Sequence, residues 1–172
     1  NISVGACSKR GMSENSALVK GVNRAWDAGL VVVVAAGNNG PRTMSITTPG
    51  ISRKVITVGC SDDDREVLVG GNRMVDYSGR GPTAACICKP DLVAPGCSVV
   101  SCSSRADKYT IKSGTSMSTP IVSGAVALLL ERFPDMSNKD VKLRLRESSV
   151  DIGLPRNQQG WGLLDVGKML ER

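Results

Sequence analysis

The chain has no histidine at all among its 172 residues. That excludes any mechanism run on a histidine base inside this chain, and every zinc motif that requires the residue. Aromatics are scarce: Phe133, Trp26, Trp161, Tyr77 and Tyr109 are scattered along the sequence. Stacking platforms for nucleic acid therefore have little to be built from, and no nucleic-acid partner is expected. No apolar run approaches the 18 or so residues a membrane span needs, so no membrane partner is expected either. Leu30–Ala36 and Ala125–Leu130 are the longest. No charged segment followed by an apolar one opens the chain, so a signal peptide is not expected. Nor is there an initiator methionine. The chain starts directly on Asn1-Ile2-Ser3-Val4-Gly5, which reads as a core strand running into a turn, and it is expected to be a fragment or a processed product.

What is present is an ordinary globular composition, with 41% hydrophobic and 22% charged residues and a net charge of +6. This length suits one domain with a real core. The densest basic stretch, Lys139, Lys142, Arg144 and Arg146, has the spacing of a solvated helix face. Six cysteines include Cys86 and Cys88 but no CxxC pair. Buried reduced thiols are the plain reading; a local Cys97–Cys102 disulfide and a metal site stay open.

The pattern along the chain is α/β. Ser16–Ala28 carries apolar residues at helical spacing and Gly29 supplies a stop. Leu30–Ala36 is a β-branched run without alternation, as in a strand buried on both faces of a parallel sheet. Val55–Gly59 and Asp91–Ala94 read as further strands, and Ser98–Ser101 with Tyr109–Lys112 as a hairpin. Ser61–Arg73, with three consecutive aspartates, reads as polar surface. A helix apolar on most sides is expected over Ser116–Arg132, with Pro120 confined to its first turn. Ser137 and Asp140 announce another helix, and a short last one is expected over Asp165–Glu171. The expected architecture is a partial, doubly wound parallel sheet with C-terminal helices.

Two places could carry chemistry. Ser116 stands at the amino end of the long helix, where free N–H groups and the helix dipole favour negative charge. It could equally be a plain N-cap. Asn38 follows a buried parallel strand, where open α/β sheets place ligands, and its amide could serve a developing oxyanion. A turn asparagine is the alternative. Taken together, Gly114-Thr115-Ser116-Met117-Ser118-Thr119-Pro120 and Ala35-Ala36-Gly37-Asn38 resemble the subtilisin-like serine proteases. Asn1–Gly5, Val55–Gly59, Asp91–Gly96 and Gly160–Asp165 match as well, in family order and over nearly the whole chain.

The resemblance implies roles. Residues 1–172 would be the C-terminal portion of one subtilisin-like domain, lacking its N-terminal strands. Ser116 would be the nucleophile and Asn38 an oxyanion donor, with the Ser116 N–H second and Thr115 assisting. Ser3, Val4 and Gly5 would pair with an extended peptide substrate. Ala36 and Gly37 would line the pocket for the side chain before the scissile bond, with Thr47 near its floor. Pro49 falls where the family often has a cis proline. Ile121 replaces the histidine usual after the signature proline. The catalytic aspartate and histidine would belong to an N-terminal half that this chain does not contain, so the chain alone is expected to be inactive. That half is the expected partner, and an apolar sheet edge left without it is expected to drive self-association. No cofactor or metal ligand is assigned within the chain, although the resemblance allows calcium in the intact protein. It likewise suggests secretion, while intracellular members exist. A pseudoprotease that binds peptide or protein without cleaving it is the alternative. An independent small-molecule binding module is a weaker reading, because Gly79-Arg80-Gly81-Pro82 does not join a strand tightly to a helix.

Overall fold

The computed structural model describes residues 1–6, 15–104 and 108–171. The expected loop at Cys7–Glu14 and most of the tip between the two strands of the later hairpin lie outside those residues.

Helix α1 (Ala17–Asp27) begins where Ser16 accepts from the Val19 N–H at 3.3 Å. It ends at Gly29, whose φ of +92° suits a residue without Cβ. Val19, Val22 and Trp26 form its buried face, the i, i+3, i+7 pattern of an amphipathic helix. Strand β1 (Val33–Ala35) follows, wholly buried. It is shorter than the apolar run suggested, because Leu30 lies at the surface, 60% exposed. Strands β2 (Ile56–Cys60) and β5 (Leu92–Ala94) complete a parallel sheet in the order β1-β2-β5. Ile2 extends it past β1: its N–H donates to Val33 O at 2.8 Å and its carbonyl accepts from Ala35 N at 3.1 Å. Ile2, α1 and β1 thus form one βαβ crossover. At the far side Leu163 bridges Val93 in parallel.

Helix α2 (Thr115–Arg132) packs on β1, β2 and β5. Its Val122, Ala125, Val126 and Leu129 join Val33, Ile56, Val58 and Leu92 in the main core. Ile121 is partly buried against the same cluster. Pro120 is the sixth helical residue and lies beyond the expected first turn. Helix α3 (Asn138–Ser148) opens on a reciprocal capping box between Ser137 and Asp140. Asn138 Nδ2 donates to Trp26 O and Leu30 O, tying α3 to the end of α1. Two short helices, α4 (Arg156–Gln159) and α5 (Val166–Leu170), follow. The Thr48–Pro49 bond is cis.

Three expectations need correction. Ser61–Arg73 is not plain surface: β3 (Val67–Val69) and β4 (Asn72–Met74) pair antiparallel about a Gly70-Gly71 turn, with Val69 buried. Both glycines have positive φ, the requirement of a two-residue hairpin turn. Asp63 is buried too, accepting from Ser78 N at 2.7 Å. The basic stretch of α3 is only partly solvated, since Lys142 Nζ reaches the carbonyls of Arg53, Lys54 and Val55 and Arg144 Nε reaches Met169 O. Of the five described cysteines, all free, only Cys60 is buried. The expected hairpin of β6 (Val99–Cys102) and β7 (Tyr109–Lys112) is present, with Val100 opposite Ile111.

Candidate active site

The site is assembled where β1 ends and α2 begins. Gly114 caps α2 with φ of +136°, a conformation that strains any residue with a Cβ. A Cβ there would also lie 3.3 Å from Asn38 Nδ2, so glycine lets the two segments close on each other. Gly37, at φ +93°, turns the chain after the buried Ala36 and delivers Asn38 to the same place.

Thr115 organises the pair. Its N–H and its Oγ1 both donate to Asn38 Oδ1, each at 3.0 Å. Its Oγ1 in turn accepts from Gly37 N at 3.2 Å. With two donors on the amide oxygen, the orientation of the Asn38 amide is set and Nδ2 is its outward donor. Ser116, half-buried, donates from Oγ to Ser3 O at 3.1 Å, while Ser3 Oγ donates to Ser116 O at 3.1 Å. The structure therefore brings Ser3, Gly37, Asn38, Thr115 and Ser116 into one hydrogen-bonded constellation.

The other expected site residues surround it. Val4 is 65% exposed, and Ala6 pairs with Thr48 just beyond Gly5. Thr47 lies between Gly5 and Gly37: a Cβ on Gly5 would come within 2.2 Å of Thr47 Oγ1, and one on Gly37 within 2.4 Å of Thr47 Cγ2. Ala36 is fully buried, its carbonyl accepting from Thr47 N at 2.9 Å and Thr47 Oγ1 at 3.3 Å.

Known proteins resemble this chain in sequence and fold. The chain matches the Subtilase family (Peptidase_S8) over residues 1–162. This chain is a subtilase. It is 42% identical over 145 residues to the serine protease AprX of Bacillus subtilis, covering 77% of this chain and 33% of that protein. It is 35% identical over 158 residues to subtilisin DY of Bacillus licheniformis, covering 91% of this chain and 52% of that protein. Sphericase superposes with a TM-score of 0.76 at 31% identity, over 96% of this chain and 56% of that one. The prenylagaramide maturation protease PagA shares the fold, with a TM-score of 0.76 at 22% identity over 99% of this chain and 60% of that one. The fold is thus a partial α/β subtilisin fold, and the chain spans from a third to about half of the two curated relatives named.

The candidate site has supports that sequence reasoning missed. Gly114 N donates to Gly96 O at 2.9 Å, which hangs the Ser116 loop from the corner after β5. That corner is braced by Asp62 Oδ1, which accepts from Gly96 N at 2.8 Å and Cys97 N at 3.1 Å. Tyr77 OH adds a third bond, to Gly96 O at 3.1 Å. Buried beside it, the Cys60 thiol is pushed up to about 12 by desolvation. Val69 of the β3–β4 hairpin packs 3.6 Å from where a Cβ on Gly114 would be. The Gly70-Gly71 dipeptide was the available signal for this hairpin; nothing local marked Asp62 or Tyr77.

The described residues hold no group of three or more histidine, cysteine, aspartate or glutamate side chains that could ligate a metal ion. Where the Asp91 carboxylate and backbone carbonyls do converge, ammonium groups fill the space. Lys89 Nζ donates to Asp91 Oδ2 at 2.5 Å and Val55 O at 3.0 Å, and Lys142 Nζ lies 3.5 Å from Asp91 Oδ1.

Proposed function

We propose that this chain is the nucleophile-bearing portion of a subtilisin-like serine endopeptidase. The observation that supports the reading is the Asn38 amide, whose oxygen takes both Thr115 donors and so turns Nδ2 away from them, next to Ser116 at the start of α2.

In this reading Ser116 Oγ attacks the scissile carbonyl of an extended peptide paired along Ser3–Gly5. The oxyanion receives hydrogen bonds from Asn38 Nδ2 and from the Ser116 N–H, one of the first N–H groups of α2 that no helical carbonyl satisfies. The Ser116 proton passes to a base outside these residues, since the chain has no histidine. That base protonates the departing amine, and water later hydrolyses the acyl-enzyme. The histidine and the aspartate that orients it come from the remainder of the family's domain, which is also the partner that covers the sheet edge beyond Ile2. An extracellular location fits a relative described as an extracellular serine protease, Nep of Natrialba magadii, 33% identical over 138 residues.

The test is a burst titration with an activated ester. A protein containing both this chain and the upstream family segment is expected to release one equivalent of product at once, and S116A none. The isolated chain is expected to give no burst. A burst from the isolated chain refutes the need for an external base. No burst from the longer protein, with peptide binding retained, makes it a binding protein instead.

A further inference from the structure

We propose that the Ser3 hydroxyl is a positioning group for Ser116, clamping a backbone carbonyl that Pro120 leaves without a helical donor. The proposal rests on the reading of Ser116 as nucleophile.

In an α-helix each N–H donates to the carbonyl four residues back. The donor for Ser116 O would be residue 120, and proline has no N–H. The carbonyl of the candidate nucleophile is therefore orphaned by the sequence of its own helix. A half-buried carbonyl without a partner is costly, so the position calls for a donor from elsewhere. Ser3 Oγ supplies it at 3.1 Å, across 113 residues of sequence. The hydroxyl proton is used there, and the oxygen accepts from Asn1 Nδ2 at 3.2 Å. Asn1 Oδ1 in turn accepts from Ser123 Oγ at 3.1 Å, one turn further along α2 than Pro120. The opening segment is laced to the helix at two points, and Ser116 Oγ returns a bond to Ser3 O at 3.1 Å.

The geometry has a functional consequence. The Ser3 backbone belongs to the edge assigned to the substrate, while its side chain holds the main chain of Ser116. One residue thus sets the offset between the bound peptide and the attacking oxygen. Small errors in such an offset act on the rate of the chemical step more than on binding.

The experiment is a double-mutant cycle in the longer protein. S3A is expected to lower kcat by roughly tenfold, the scale of one lost hydrogen bond, with KM changed less than about threefold. S3T keeps the hydroxyl and is expected to recover most of the loss. P120A restores a helical N–H to Ser116 O, so adding S3A to P120A is expected to cost little more than P120A alone. Multiplicative losses, or equal losses in S3A and S3T, would overturn the clamp. The same cycle read as melting temperature does not depend on catalysis: additive shifts overturn the clamp and non-additive shifts support it. Absence of an acyl-enzyme burst in the parent protein sinks only the peptidase reading and leaves that melting cycle to decide.

Discussion

Thr115→Val tests whether the Asn38 amide is held for a purpose. Valine keeps the shape of threonine and removes its hydroxyl. Two hydrogen bonds vanish: Gly37 N to Oγ1 at 3.2 Å, and Oγ1 to Asn38 Oδ1 at 3.0 Å. Thr115 is fully buried, so no water replaces them. At about 1 kcal/mol per neutral hydrogen bond the variant should lose roughly 2 kcal/mol of stability. Catalysis responds differently. Asn38 keeps the Thr115 N–H bond at 3.0 Å, so its amide is loosened and not lost. Outright removal of an oxyanion donor costs about 3–4 kcal/mol, a figure that comes from subtilisin itself. A loosened donor forfeits part of that, so kcat should fall by roughly 10- to 100-fold. KM should change little, because the oxyanion exists only after attack. The assay is steady-state hydrolysis of a peptide anilide by the longer protein, with Thr115→Ser as the control that retains the hydroxyl. An unchanged kcat in the valine variant, or a rise in KM alone, would refute the reasoning.

Four further outcomes are expected. Thr47→Gly should open the space between Gly5 and Gly37 and raise kcat/KM for substrates with a bulky side chain before the scissile bond relative to small ones; an unchanged ratio places Thr47 outside that pocket. Burial holds the Lys142 ammonium down at about 8 against an ordinary 10.5, so the unfolded chain binds more protons between those values and the urea midpoint should climb as pH rises from about 8. Lys142→Met should remove that climb, and an equal slope in both proteins would count against it. Brief alkylation at pH 8 should label exposed Cys86, Cys88 and Cys102 and spare Cys60, whose thiol burial keeps protonated; rapid labelling of Cys60 in the folded chain contradicts its burial. Sedimentation of the isolated chain should show association growing with concentration, and a clean monomer at high concentration would rule out an adhesive sheet edge.

Much of this was legible in the sequence because it is written locally. Ser16, Ser137 and Asp140 sit where caps belong, and α1 and α3 begin there. Ser116, Thr115 and Asn38 stood out as a pattern, and the structure places them together although 77 residues separate Asn38 from Thr115. What escaped was set by tertiary contact. Charge alone put Lys142 in solvent, yet its long apolar stem lets the ammonium reach three backbone carbonyls, with the Trp26 and Trp161 rings 5.8 and 6.0 Å away. Asp62 and Asp63 look like an exposed acidic turn, but folded loops bring backbone N–H groups to both. The Pro120 vacancy was visible as a residue and invisible as a bond, since its partner lies at the other end of the sequence.

The long separation between Ser3 and Ser116 has a consequence in time as well as in space. Synthesis runs from the amino end, so Ser3 and Asn38 emerge long before α2 does. Until then the Ser3 hydroxyl has no Ser116 carbonyl to clamp, and the Asn38 amide lacks the residue that orients it. The Ser3–Ser116 contact spans 113 residues, so it can form only once α2 has been made. A product truncated before α2 therefore carries the Ser3–Gly5 segment and Asn38 without Thr115 or Ser116. The fold itself delays the site until its scaffold is made.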